Sequence, residues 1–157
     1  MVANLLSDGI LGIPERLIHA HEELVAAFAA ATTESKHARL AVTHLAELCM
    51  SHFAKEEENI FRVFGFLHDL ATDRARADLA AAPSIIADLR RLCDMSCDDH
   101  KLIDSAVDEL LRQARKEQNK AIAKIAHTLR YHEKIENEVM YPAILAIDKS
   151  LRAGRDA

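Results

Sequence analysis

The chain has 157 residues, half of them apolar, and a formal charge of −5 with its nine histidines neutral. That length suits one domain with a single sustained core, and its interspersed charges and scarce aromatics leave no basic stripe for nucleic acid. The apolar runs are too short to cross a bilayer, the opening "MVANLLSDGI" does not read as an export signal, and three cysteines are an odd count for a disulfide framework. A soluble, cytoplasmic protein of one domain over residues 1–157 is expected, with neither nucleic acid nor membrane as partner.

Four glycines and three prolines are too few for a turn-rich β protein, and Ala, Leu, Glu, Lys and Arg dominate without strict alternation. All-α structure follows. A first helix is expected from Pro14, with Leu17, Ile18, His21, Leu24, Val25 and Phe28 on one stripe, ending in "ATTES" (31–35). A second runs from Glu34 to Gly65, about 45 Å at the standard rise, with Leu45, Leu48, Cys49, His52, Glu56, Ile60 and Val63 at three- and four-residue steps. After a looser connection (68–83), Pro83 and Ser84 open a third that aligns Ile85, Leu89, Cys93, Cys97, His100, Val107 and Leu111 and fades in "RKEQNK" (115–120). The fourth carries Ile122, Ile125, Leu129, His132, Ile135, Glu136 and Val139 to Pro142, which is expected to kink or end it. Four amphipathic helices with short links predict an up-down-up-down four-helix bundle with its core over about residues 14–150.

The helices also read as a duplicated pair. His21 lies 31 residues before His52 and His100 lies 32 before His132, and the second histidine of each pair begins a His-x-x-x-Glu, His52/Glu56 and His132/Glu136. Residues four apart share a helical face, so each pair can present an imidazole and a carboxylate to one point. One such match is expected by chance in so histidine-rich a chain, and His19/Glu23, set among Glu15, Arg16 and Glu22, reads as a solvated pair. The other two have apolar flanks, Leu48, Cys49 and Ile60 in one case and Leu129, Ile135 and Val139 in the other. Two inward carboxylates are costly unless paired or bound to a cation, and no inward Lys or Arg stands at the same levels. Imidazole with carboxylate suits iron, manganese or zinc, and six such ligands are too many for one structural zinc, which favours a two-metal site.

With His21, "HFAKEEENIF", His100 and "HEKIENEVMYP" in that order, the chain resembles the hemerythrin-like proteins with the HHE cation-binding domain over about residues 14–145. The resemblance implies a non-haem di-iron centre held by His21, His52, Glu56, His100, His132 and Glu136, the glutamates bridging two iron ions that also share an oxo or hydroxo group. It implies a small oxidant as partner, dioxygen, hydrogen peroxide or nitric oxide, and a role under oxidative or nitrosative stress. Oxygen-carrying hemerythrins have a fifth histidine one turn from that of the third helix and an aspartate on the fourth; here Asp104 and Glu136 stand there, which favours redox turnover over oxygen carriage. Arg62 stands where many members have the proline seen here as Pro142. The enzymatic reading is a peroxide-consuming, catalase-like oxidoreductase; the alternatives are an oxygen or nitric oxide sensing or binding module without turnover, and iron or zinc storage. A ferritin-like Glu-x-x-His pattern has only Glu34/His37 to offer.

Asp104, one turn beyond His100, is a candidate seventh ligand or an acceptor behind the ligands, although mid-helix acids are usually exposed. The three cysteines read as packing residues, Tyr131 as an interface residue, and His37, His44, His68 and His127 as surface residues. Tyr131 and Tyr141, which flank the fourth-helix motif, are both candidates to reach the site with a hydroxyl, with interface packing favoured for Tyr131 because it points sideways. In "KEEEN" (55–59) Glu56 alone is expected to turn inward.

Overall fold

The computed structural model describes residues 15–34, 38–64 and 89–153, and every element among them is helical. The elements are α1 (Glu15–Glu34), α2 (Arg39–Lys55) continued by π1 (Glu56–Ile60), α3 (Leu89–Lys116), and α4 (Lys120–Ile135) continued by π2 (Glu136–Met140) and α5 (Tyr141–Ala153). They pack as a helical bundle in which α1 meets α2 and α4, and α3 meets α2 and α4. The expected starts at Pro14 and at Pro83/Ser84, the end at Gly65, the connection over 68–83, and Ile85, His37 and His68 lie outside the described residues.

The apolar stripes form two clusters. One joins Leu24 and Phe28 of α1, Val42, Leu45 and Cys49 of α2, Ile103, Val107 and Leu110 of α3, and Ile122 and Leu129 of α4. The other joins Ile60, Phe61 and Val63 to Leu89, Cys93, Met140, Tyr141 and Ile144. Each buried Leu, Ile or Phe contributes roughly 2 kcal/mol of burial free energy. Between the clusters lies a layer of buried His21, His52, Glu56, Ser96, His100 and Glu136. Sequence order produces it: on α2, Val42, Leu45 and Cys49 precede His52 and Glu56, whereas Ile60 and Phe61 follow them.

Both His-x-x-x-Glu glutamates open a π segment, a feature that apolar periodicity does not reveal. Phe61 N–H donates to the Glu56 carbonyl at 2.8 Å, and Tyr141 N–H donates to the Glu136 carbonyl. These are five-residue steps, so the residue above each glutamate is the fifth onward rather than the fourth alone. The inner face therefore extends to Phe61 and Tyr141, both buried, while Val139 within the segment is 61% exposed; Ile135, the residue before it, is 38% exposed. That corrects the inward placement of Ile135 and Val139, and Val25 of α1 is likewise exposed at the edge of its stripe.

Helical structure does not end at Pro142, which is the second residue of α5. The wider turn directly before the proline gives its ring room against the preceding carbonyls. Proline does not cause the π segment, since Arg62 stands at the matching place after Glu56 and the same segment forms there.

The α3–α4 connection is set by two adjacent residues. Gln118 has φ 52°, and with Asn119 it closes α3 by bonds from Gln118 N–H to the Arg115 carbonyl and from Asn119 N–H to the Ala114 carbonyl, at 3.2 and 2.9 Å. Asn119 then caps α4, its Oδ1 accepting from the N–H groups of Ala121 and Ile122, both at 3.1 Å. One short turn thus ends one site helix and starts the next.

Candidate metal centre

His21 descends from α1, His52 and Glu56 from α2 and π1, His100 from α3, and His132 and Glu136 from α4 and π2. All but His132 are almost fully buried, and the His132 side chain is 15% exposed. Their donor atoms form two overlapping quartets, His21, Glu56, His132, Glu136 and His52, Glu56, His100, Glu136, within each of which the atoms lie inside 4.8 Å of one another. Glu56 and Glu136 belong to both.

All four imidazoles turn Nε2 inward. His21 Nε2 faces His132 Nε2 at 3.1 Å and His52 Nε2 faces His100 Nε2 at 2.9 Å. Glu136 approaches both pairs, Oε1 lying 2.7 Å from His132 Nε2 and Oε2 3.2 Å from His100 Nε2. Glu56 Oε2 lies 3.5 Å from the Nε2 atoms of both His21 and His52. These approaches lie off the ring N–H directions, for Glu56 Oε2 and both Glu136 oxygens take no hydrogen bond among the described residues. Buried carboxylate oxygens left in that state are costly. A cation among them and the facing nitrogens removes the cost, so the donor set fits a metal ion.

The electrostatics follow from the same crowding. Burial opposes a charge on His21, but the carboxylates of Glu136, Glu56 and Glu57 outweigh it and raise its pKa to about 9. On His100 burial is again outweighed, chiefly by Glu136, and the pKa rises. For Glu136, burial pushes upward, yet the four histidines hold its carboxyl well below the usual carboxylate range.

The outward nitrogens are held by residues that sequence spacing does not single out. His21 Nδ1 is 2.8 Å from Glu57 Oε1, so Glu57 is half-turned to the site and the expectation that Glu56 alone points inward is corrected. His100 Nδ1 is 3.1 Å from Asn137 Oδ1. Such bonds fix an imidazole tautomer with Nε2 free to bind a metal. His52 Nδ1 lies 3.7 Å from Asp99, which Lys55 also holds at 2.7 Å.

Tyr141 supplies a hydroxyl from beyond π2, donating to Glu56 Oε1 and lying 3.4 Å from His100 Nε2. Phe53 stacks on His21 with centroids 3.8 Å apart and 10° between planes. Burial, with Glu56 and Glu136 nearby, pushes the Tyr141 phenol far up, so it stays a proton donor.

Asp104 is not at the centre. Its side chain is 56% exposed and pairs with Arg130 Nε at 3.4 Å, because one turn beyond His100 the inward position is Ile103, not residue 104. His19 is exposed and paired with Glu22 and Glu23; His44 and His127 are exposed too. Tyr131 is 66% exposed and packs into no cluster.

All three cysteines are free. Cys49 and Cys93 are buried in the two clusters, and burial raises both thiols, Cys93 to about 12. Cys97 is partly exposed and donates to Asn137 Oδ1 at 3.6 Å.

No helix among the described residues is long and apolar enough to cross a membrane. No family model, curated protein or solved structure matches the chain.

Proposed function

We propose that this chain is a hemerythrin-like, non-haem di-iron protein of the cytoplasm that binds or reduces a small oxidant: dioxygen, hydrogen peroxide or nitric oxide. One observation carries the proposal: two donor quartets share Glu56 and Glu136, of which Glu56 Oε2 and both Glu136 oxygens take no hydrogen bond among the described residues and lie beside facing pairs of imidazole nitrogens. Shared carboxylates between two nitrogen pairs are what two adjacent cations need, whereas one cation would leave half of the donors idle. The up-down order of the helices and their origin as a repeated pair belong to the same reading, supported by matching π segments at Glu56 and Glu136.

Iron, when bound, supplies the electrons and the vacant positions that an oxidant requires. The chain's own residues do the rest. His21, His52, His100 and His132 would hold the metals through Nε2, with Glu57 and Asn137 keeping the protons of His21 and His100 on Nδ1. Tyr141 keeps a proton at Glu56 Oε1, beside the centre. Phe53 and Phe61 pack on His21 and exclude water from that side.

Elemental analysis of protein loaded anaerobically with ferrous iron, then exposed separately to air, to peroxide and to nitric oxide under absorption spectroscopy, tests the reading. The expected result is about two iron ions per chain, as a pair of shared carboxylates requires, with new near-ultraviolet and visible bands on oxidation. One metal or none, or no response to any of the three oxidants, overturns it. Rapid oxygen evolution from peroxide selects turnover, and a stable oxygenated species selects binding.

A further inference from the structure

Between α3 and α4, on the outer side of the centre, lies a cavity of about 430 Å³ lined by Asp104, Arg130, Glu133, Lys134, Asn137 and Glu138 among others. Its rim charges are already matched. Arg130 is held by Asp108 at 2.6 Å and Asp104 at 3.4 Å, and Lys134 lies 3.8 Å from Glu138. Glu133 is different: it is only 3% exposed, and its Oε1 has no hydrogen-bond partner among the described residues. A buried carboxylate oxygen in that condition, at the floor of a cavity, lacks the cation or donor that would make its burial tolerable.

The cavity also touches the centre. Asn137 lines it and meets His100 Nδ1 at 3.1 Å, while Glu133 adjoins His132 in sequence and follows Leu129 by one helical turn. The lining carboxylates outnumber the cations, and one of those cations is neutralised from outside by Asp108. A hydrated divalent cation, which seeks oxygen ligands and sheds water stepwise, matches that chemistry.

We propose that this cavity is the route by which a divalent cation reaches the metal centre, with the Glu133 carboxylate as its transient ligand on the way in. The proposal rests on the two-metal reading above, and adds to it a residue that is not part of the resident site. Glu133 acts on the speed of loading, and leaves the final occupancy to the six ligands.

The test is the rate of Co2+ incorporation into the metal-free chain above pH 8, where the Glu133 carboxyl is ionised, followed by cobalt absorption with final stoichiometry measured separately. Glu133→Gln, which keeps the shape, is expected to slow uptake about tenfold, the low end of what a focused charge does to an on-rate, with final cobalt content unchanged. Glu138→Lys at the rim should also slow uptake, while Glu22→Lys, the same charge change on exposed α1, should not. That comparison decides the matter even where Glu133→Gln fails to fold. Uptake by Glu138→Lys equal to that of Glu22→Lys, or by folded Glu133→Gln equal to that of the wild type, overturns the route and leaves the centre standing. Failure of the wild type to take up cobalt at all overturns both. A lower final content in Glu133→Gln makes Glu133 a resident ligand and also overturns the route.

Discussion

Tyr141 donates its hydroxyl to Glu56, a bond between the last helical stretch and the second across 85 residues of sequence. It exists because π2 carries Tyr141 to the inner face directly above Glu136. Groups that hold a metal-binding carboxylate from behind typically affect affinity by one or two powers of ten. Tyr141→Phe is therefore expected to weaken metal binding about tenfold while leaving the helical content unchanged, as measured by competition with a chelator and by circular dichroism. Unaltered affinity would show that the phenol only packs.

The two histidines near the start of α1 separate by face. His21 is buried against Phe53, Glu57 and His132, and His19 is exposed among glutamates. His21→Ala breaks one quartet and is expected to reduce bound metal from about two ions to about one per chain. His19→Ala should change stability by no more than about 0.5 kcal/mol. Metal analysis and urea unfolding of both variants check this, and the opposite ranking would place the wrong face of α1 at the centre.

Without metal, protons on the histidines take the place of the cation. The His21 pKa is raised from 6.5 to about 9, so the folded state binds the proton more tightly than the unfolded chain. The stability this contributes is fully present below about pH 6.5 and is lost as pH rises through 9. Glu133, raised by burial from 4.5 to about 8, acts in the same direction between those values. The metal-free protein should thus lose on the order of 2 kcal/mol between pH 6.5 and pH 9.5. Glu136, whose carboxyl is held low, acts at the other end: its contribution is present above pH 4.5 and disappears as pH falls well below that. Urea unfolding across pH in the presence of a chelator gives the profile. A flat profile from pH 6.5 to 9.5 would contradict the crowded, proton-holding centre.

Gln118 adopts φ 52° at the end of α3, a left-handed conformation that costs a residue with a Cβ roughly 1 kcal/mol. Gln118→Gly removes that cost without touching the Asn119 cap or the centre. An increase in stability of about 0.5–1 kcal/mol is expected, measured by chemical unfolding with metal content unaltered. A loss of stability would mean that the Gln118 side chain makes a contact worth more than the relief of strain.

The helices and the facing of His21, His52, Glu56, His100, His132 and Glu136 were legible in the chain, since inward residues recur at three- and four-residue steps and apolar flanks mark the buried stripe. What spacing could not show was the change of step itself. At Glu56 and Glu136 the backbone takes a five-residue hydrogen bond, which moves Tyr141 in and Val139 out. Nor could periodicity assign Glu57 or Asn137, which stand in runs of polar residues and meet their partners on other helices, or Glu133, which is buried beside the cavity between α3 and α4. A sequence pattern reports which face of one helix is apolar. Which polar side chain fills the space between two helices depends on how those helices are set against each other, and only packing in three dimensions decides that.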